Sequence, residues 1–281
     1  MPELAFVNGA FLPIHDAKVS IEDRGFQFGD GVYEVIVVYD GKPFLLDRHL
    51  SRLRRSAAGI GLEYDFDAQP IAPLIDEGVR RAELRDAMVY IQLTRGAAPR
   101  SHVIPPKISP TVVMTFKALP LIADDVRARG LKIMTTLDNR WADCHIKAIT
   151  LLPNVLAKNA ALARGFDDAI FVTKEGQVRE CTSSNVFMVK GGALIMPPRD
   201  HSILHGVTQG FLMECAAEIA VPVEEERFHI DSMRAAEEVF LCSTLTEVLG
   251  IVQIDAAVIS DGHVGKTTQR LFTEFRRRSR K

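Results

Sequence analysis

Short apolar segments broken by glycine-bearing turns constrain this 281-residue chain more than any other feature. Phe6-Val7, the pair Asn8-Gly9 and then Phe11-Leu12 read as a hairpin, because Asn-Gly accepts the positive φ angles of a two-residue turn. Residues 32–39, Asp40-Gly41 and residues 44–46 repeat the pattern. Residues 87–94 and 111–118 are rich in Val, Ile, Met and Thr and predict two more strands. Between them runs a loop, 95–110, carrying Gly96, Pro99, Pro105 and Pro106. Asp47 is placed to cap a helix whose Leu50, Leu53, Ala57 and Ile60 share one face, with Gly59 and Gly61 at its end.

The second half predicts strands over 132–137, 168–173, 177–180, 185–189, 193–196, 239–242 and 249–254. Helices are expected over 152–164, stopped by Gly165, over 208–220 with an amphipathic pattern, and over 267–278 at the end of the chain. The alternation lacks the regular βαβ rhythm of a doubly wound sheet, so the expected class is α+β. Leu119-Pro120-Leu121 is the best boundary, dividing the chain into domains 1–119 and 120–281.

With 47% hydrophobic residues the chain can bury a sizeable core. Its 36 acidic and 34 basic residues nearly cancel, leaving no general electrostatic reason to seek nucleic acid or an anionic membrane. Cys144, Cys181, Cys215 and Cys242 form neither a CxxC pair nor a Cys/His cluster suited to zinc, so free thiols and no metal are expected. The start, Met-Pro-Glu-Leu-Ala-Phe, has no basic segment followed by a long apolar run, and no stretch is long enough to span a membrane. A cytoplasmic location is the expectation. The basic tail from Arg276 to Lys281 suits the negative end of a C-terminal helix.

Three lysines sit in apolar contexts: Lys117, Lys132 and Lys147. A desolvated lysine loses its proton more easily and becomes a nucleophile able to form a Schiff base. Context alone does not choose among them, since each also reads as a side chain pointing outward from a half-buried strand. Gly206-Val207-Thr208 precedes a helix-like run, where backbone N–H groups and a hydroxyl can hold a phosphate or simply cap the helix. Ser243, Thr244 and Thr246 offer further hydroxyls. Arg100 and His102, two apart on an extended loop, point the same way and suit a carboxylate clamp, or else are solvated loop residues.

The run from Glu22 to Val35, Glu-Asp-Arg-Gly-Phe-Gln-Phe-Gly-Asp-Gly-Val-Tyr-Glu-Val, resembles the N-terminal signature of fold-type IV pyridoxal-phosphate enzymes, and most closely that of bacterial D-amino acid transaminases. The similarity continues through His49-Leu50-Ser51-Arg52-Leu53, Thr94-Arg95-Gly96, Pro99-Arg100-Ser101-His102, Arg140-Trp141, Ile146-Lys147 and Leu156-Ala157-Lys158. It ends with Ser183-Ser184-Asn185-Val186-Phe187, Ile203-Leu204 with Gly206, and Ser243-Thr244, and so spans nearly the whole chain in order.

The resemblance implies a two-domain fold, with a smaller N-terminal α/β domain and a larger C-terminal domain built on a barrel-like sheet. It implies pyridoxal 5′-phosphate as cofactor and transamination between D-amino acids, such as D-alanine and D-glutamate, and 2-oxo acids in two ping-pong half-reactions. Lys147 is then the residue that forms the aldimine and moves the α-proton, and Glu180 faces the pyridine nitrogen. Arg52, Val207, Thr208 and Thr244 hold the phosphate, Leu204 packs on the ring, and Ser183 lies on the cofactor side. Tyr33, Arg100 and His102 trap the substrate carboxylate, with Arg100 and His102 reaching in from the second subunit of a homodimer.

Four residues depart from the pattern: Cys181 replaces a glycine, His205 and Gln209 stand where basic residues are expected, and His145 replaces an acidic one. These bear on cofactor affinity and substrate range. The rival readings are a branched-chain L-aminotransferase, an aminodeoxychorismate lyase, an (R)-selective amine transaminase and a non-enzymatic cofactor carrier. The Pro99-Arg100-Ser101-His102 segment argues against the first.

Overall fold

A computed structural model describes residues 3–280, and the chain divides into two compact units. Met1, Pro2 and Lys281, the ends of the expected N-terminal segment and basic tail, lie outside the described residues.

The first unit comprises the chain up to Pro120 together with Ile146–Thr150. Its elements are β1 (Leu4–Val7), β2 (Ala10–Pro13), α1 (Arg24–Phe28), β3 (Gly31–Tyr39), β4 (Lys42–Pro43), α2 (Leu46–Gly59), α3 (Ile71–Ala82), β5 (Ala87–Thr94) and β6 (Thr111–Ala118). They form one antiparallel sheet in the order β2-β1-β6-β5-β3-β4. The first hairpin forms as expected, with Val7 paired to Ala10 and Asn8 and Gly9 at φ 44° and 100°. Strands 87–94 and 111–118 also form with the expected bounds. Residues 44–46 do not form a strand: Tyr39 pairs with Lys42, Leu45 turns to φ 54°, and α2 begins at Leu46. Leu45, not Asp47, is the N-cap residue; Asp47 lies in the first turn, where its charge favours the helix dipole.

Helix α3 is not among the expected elements, although Ile71, Ile75, Val79 and Ala82 repeat at helical spacing and are all buried. With Leu53 and Ala57 of α2 they cover Ile36, Val38, Val89, Ile91, Met114 and Phe116. A Cβ added at Gly78 would stand 2.0 Å from the Phe116 ring, so α3 requires its glycine to lie this close to the sheet.

The second unit holds α4 (Asp124–Arg129), β7 (Leu131–Leu137), α5 (Leu152–Ala163), β8 (Asp168–Val172), β9 (Val178–Cys181), β10 (Asn185–Lys190) and β11 (Ala193–Met196). It continues with α6 (Val207–Glu218), β12 (Val223–Glu225), α7 (Ile230–Arg234), β13 (Glu238–Ser243), β14 (Glu247–Ile254), β15 (Ala257–Val258) and α8 (Lys266–Ser279). The nine-stranded sheet runs β12-β11-β10-β13-β14-β7-β8-β9, with β15 on β14. It is mixed: β11–β12, β14–β7 and β7–β8 are parallel and the other pairs antiparallel.

Connectivity forces this sheet to curl. Five strand spacings separate β10 from β9, about 24 Å in a flat sheet. Yet only residues 182–184 join them, and a link from Cys181 to Asn185 reaches about 14 Å. The turn is closed by the Cys181 N–H donating to Ser184 O at 2.8 Å. This is the curled, barrel-like sheet expected of the larger domain. All four cysteines are free and buried, and among the described residues no helix is long and apolar enough to cross a membrane.

Candidate active site

In the first unit, the start of β3 is a landing strip for the segment carrying Lys147. Gly31 O accepts from the Ile149 N–H at 3.1 Å, and the Tyr33 N–H donates to Lys147 O at 3.0 Å. Val32 and Ala148 form an antiparallel bridge between these bonds. From the other side the Lys147 N–H donates to Ser56 Oγ on α2 at 3.1 Å. A side chain at Gly31 would meet Leu93 O at 2.8 Å, which explains the glycine. Lys147 Nζ lies 4.3 Å from the centre of the Tyr33 ring. Tyr33 in turn packs 5.7 Å from Tyr90, whose hydroxyl donates to Gln92 Oε1 at 2.7 Å. Burial, with Tyr33 adding to it, pushes Tyr90 up to about 12.

The structure separates the three lysines that context left open. Lys117 makes a partly exposed ion pair with Glu3 at 2.8 Å, and Lys132 is exposed. Lys132 and Lys117 lie in strands with their backbones paired, whereas Lys147 sits on a short segment strapped to β3 and α2, with its amine over an aromatic ring.

Beside Tyr33, Glu34 points to the opposite face of β3 and is wholly buried. Arg52 Nε donates to its Oε1 at 2.6 Å and Nη2 to its Oε2 at 2.9 Å, while His49 Nδ1 lies 2.8 Å from Oε2. Burial alone raises the Glu34 pKa, but the charge and hydrogen bonds of Arg52, with the bond from His49, hold it down at about 2. Burial dominates at His49 and lowers it, so its imidazole is neutral at pH 7.

The signature around residue 25 builds a second ionic knot in the same unit. Asp23 caps α1 by accepting from the Gly25 N–H at 2.8 Å, and it accepts from the Thr94 hydroxyl at 2.9 Å. Asp30 receives Arg24 Nε and Arg95 Nε, both at 2.8 Å, and Arg24 Nη1 donates to Ser101 O at 2.6 Å. Burial raises Asp30, and the two arginines bring it below its ordinary value. The knot ties down the middle of the 95–110 loop, where Arg100 lies 4.5 Å over the Phe28 ring and His102 packs 5.5 Å from it. Both are exposed. The structure therefore groups Arg100 with His102 around Phe28, and Tyr33 with Lys147.

In the second unit, Glu180 near the end of β9 is the centre of a cluster. Arg140 Nη1 donates to its Oε1 at 2.5 Å, the Leu204 N–H lies 3.1 Å from its Oε2, and Asn185 Nδ2 donates to Oε2 at 3.2 Å. Arg140 also grips Asp138 through Nε and Nη2, both at 2.9 Å, and stacks 4.4 Å over Phe171. Burial pulls the arginine's pKa down, but Asp138 and Glu180 hold it above its usual value.

Asn185 links this cluster to α6. Its Nδ2 also donates to Leu204 O at 2.8 Å, and its Oδ1 occupies the space of a Cβ at Gly206, 2.1 Å away. Gly206 is the N-cap of α6, and Val207 and buried Thr208 form the first turn. Residue 185 pairs with Cys242, which leads into the turn of Ser243, Thr244 and Thr246; there Ser243 Oγ and Thr246 Oγ1 are 2.8 Å apart. Ser183 is exposed in the β9–β10 turn.

The departing residues have local uses. Cys181 is core, its thiol driven well above its ordinary pKa by burial. Gln209 Oε1 accepts from the Gly206 N–H at 3.2 Å, and His205 Nε2 lies 3.0 Å from Asp200 O. The His145 and His205 rings are 6.3 Å apart. Glu34, His49, Ser56, Arg140 and Asn185 have no role assigned from sequence, though all but Ser56 stand inside the motif runs quoted above.

The donor set fits a phosphorylated aldehyde cofactor. The first unit offers a lysine amine that suits an aldehyde and a buried arginine that suits a phosphate; the second, by itself, offers a glycine-led helix start with a threonine hydroxyl that suits a phosphate and an anchored carboxylate that suits a ring nitrogen.

A sequence model of the amino-transferase class IV family matches residues 31–254. The D-alanine aminotransferase of Staphylococcus epidermidis is 38% identical over 271 residues, covering 96% of this chain and 95% of the relative. That of Listeria innocua is also 38% identical, over 96% and 93%. Among solved structures, the Escherichia coli branched-chain amino acid aminotransferase superposes with a TM-score of 0.92 over 99% of this chain and 95% of its own, at 23% identity. A T.th. branched-chain amino acid aminotransferase with pyridoxamine 5′-phosphate gives 0.90 over 98% and 93%, at 27%.

Proposed function

Because the chain belongs to the amino-transferase class IV family, we propose that it transfers the amino group of D-amino acids, D-alanine and D-glutamate among them, to 2-oxo acids with pyridoxal 5′-phosphate. The observation that carries the handedness is 38% identity to proteins named D-alanine aminotransferase across nearly the whole of both chains.

Bound, pyridoxal 5′-phosphate accepts the substrate's amino group and takes up the electrons left when the Cα–H bond breaks. Lys147 Nζ would hold the cofactor's aldehyde end and, once free, would carry the proton from the substrate Cα. The strap of hydrogen bonds on its backbone keeps that amine in register. Glu180, held ready by Arg140, Asn185 and the Leu204 N–H, faces the ring nitrogen and favours its protonated form. Arg52, the Val207 N–H, Thr208 and Thr244 hold the phosphate, Leu204 covers the ring, and Ser183 contributes on the cofactor side.

Tyr33, Arg100 and His102 bind the substrate carboxylate, with Arg100 and His102 supplied to the site of a second copy of the chain. Their exposure supports that reading, as do exposed Phe26, Val103 and Ile104 around them and the exposed Leu152, Val155 and Leu156 stripe on α5, which a homodimer would cover. The two half-reactions predict ping-pong kinetics.

The likeness to branched-chain enzymes at 27% identity favours a second reading, transamination of L-leucine and its kin. One experiment decides. The purified protein is loaded with pyridoxal 5′-phosphate and its near-visible absorbance followed on separate addition of D-alanine, L-leucine and aminodeoxychorismate. Loss of the lysine-bound band with D-alanine alone is expected. Response to L-leucine alone moves the protein to the branched-chain group, and pyruvate release from aminodeoxychorismate makes it a lyase. With Arg100→Ala, KM for D-alanine should rise by roughly 10- to 100-fold with cofactor binding intact; unchanged turnover misassigns the clamp.

A further inference from the structure

Helix α2 turns polar side chains, not only apolar ones, toward the interior. His49, Arg52 and Ser56 fall at i, i+3 and i+7, and all three are buried. A buried ion pair is no stronger than well-packed apolar side chains of like volume, so its presence points to a use for the guanidinium. Glu34 meets the arginine side-on, through both Nε and Nη2, a geometry that fixes orientation as well as distance. His49 takes up further capacity of the same carboxylate. Four positions beyond Arg52 on the same helix, Ser56 accepts the Lys147 N–H, and one position before Glu34 on the same strand, Tyr33 donates to Lys147 O. Glu34 thus joins the helix and the strand that together grip the backbone of Lys147.

We propose that Glu34 is a positioning residue: it holds the Arg52 guanidinium at a fixed orientation relative to Lys147, and so makes the protein select a cofactor carrying a phosphate over the same ring without one. The inference rests on Arg52 being the phosphate anchor. Glu34 touches no reacting atom. It acts on the phosphate end through Arg52 and leaves the aldehyde end to Lys147.

The test compares two ligands, pyridoxal 5′-phosphate and pyridoxal, titrated by absorbance into the wild-type protein and into Glu34→Gln and Glu34→Asp. In Glu34→Gln, affinity for pyridoxal 5′-phosphate should fall about 10- to 100-fold, as for breaking a buried charge pair, while pyridoxal changes less than about 3-fold. Glu34→Asp keeps the charge and so the fold, but its shorter side chain does not reach both nitrogens; it should show the same selective loss to a smaller degree, and it carries the test alone should Glu34→Gln not fold. Equal losses for both ligands would mean a purely structural role and overturn the proposal. Tighter binding of pyridoxal 5′-phosphate in either variant would also overturn it, because Glu34 would then only mask the charge of Arg52. A wild-type protein that binds both ligands equally overturns the reading of Arg52 itself, an outcome distinct from wild-type selectivity that survives in the variants.

Discussion

Glu34 with Arg52 in the first unit, and Glu180 with Arg140 in the second, are both carboxylate–arginine pairs almost wholly withdrawn from water. Their surroundings differ in charge. Around Arg52 one carboxylate balances one guanidinium, and the neighbouring His49 is neutral. Around Arg140 two carboxylates, Asp138 and Glu180, share one guanidinium, leaving an excess of negative charge. The first arrangement fixes a direction without adding net charge; the second sets two carboxylates on one guanidinium. In the proposed chemistry, the arginine of the first pair and the carboxylate of the second face the cofactor, and the other member of each holds it in place.

Neither pair replaces the lysine. Lys147→Ala should lower turnover at least about 1000-fold with the thermal midpoint little changed. A residual rate within tenfold of wild type would show that the chemistry lies elsewhere.

Arg140→Met strikes the second pair harder than any apolar replacement nearby, because Asp138 and Glu180 are left without their shared cation. A loss of about 3–5 kcal/mol is expected from denaturant midpoints. A loss under about 1 kcal/mol would mean the two carboxylates do not depend on Arg140, and the contrast between the pairs would fall.

Acid separates the pairs further. Because the folded pKa of Glu34 lies near 2 and its ordinary value is 4.5, its contribution is complete above about 4.5 and disappears as the pH falls toward 2. A shift of that size corresponds to about 3 kcal/mol. His49, whose folded pKa is lowered from 6.5, adds to the loss as the pH falls below that value. Acid unfolding followed by fluorescence should therefore be flatter below pH 4.5 in Glu34→Gln than in the wild type; superimposable slopes would contradict the ionised, buried carboxylate. The smallest effect belongs to Gly206→Ala. Its Cβ would displace the Asn185 amide, at a cost of about 1–3 kcal/mol, and loosen Glu180 with it.

What the sequence reveals follows the range of the interactions. Strands 87–94 and 111–118 are legible because β-branched and apolar residues declare a pleated, half-buried surface locally. Helix α3 is hidden because Pro70 and Pro73 suggest a loop, although proline is at home in a first helical turn. The strand expected over 44–46 fails because Leu45 adopts a left-handed turn, which nothing in an apolar triplet announces. Residues in contiguous motifs, such as Asp23 to Gly31, stand out as patterns. Their partners do not: Glu34 finds Arg52 across 18 positions, and Arg140 finds Glu180 across 40, and only the folded register makes those pairs.

The strap at Ile146–Thr150 also has a consequence for how the chain is made. When a ribosome has released the first 120 residues, the first unit still lacks five of its own. The start of β3 waits, its Gly31 carbonyl and Tyr33 amide unmatched, until some thirty further residues have emerged, about 2–6 s of synthesis. Lys147 reaches its place only as that late segment docks, so the nascent chain straps the start of β3 and positions the amine proposed to react in one event.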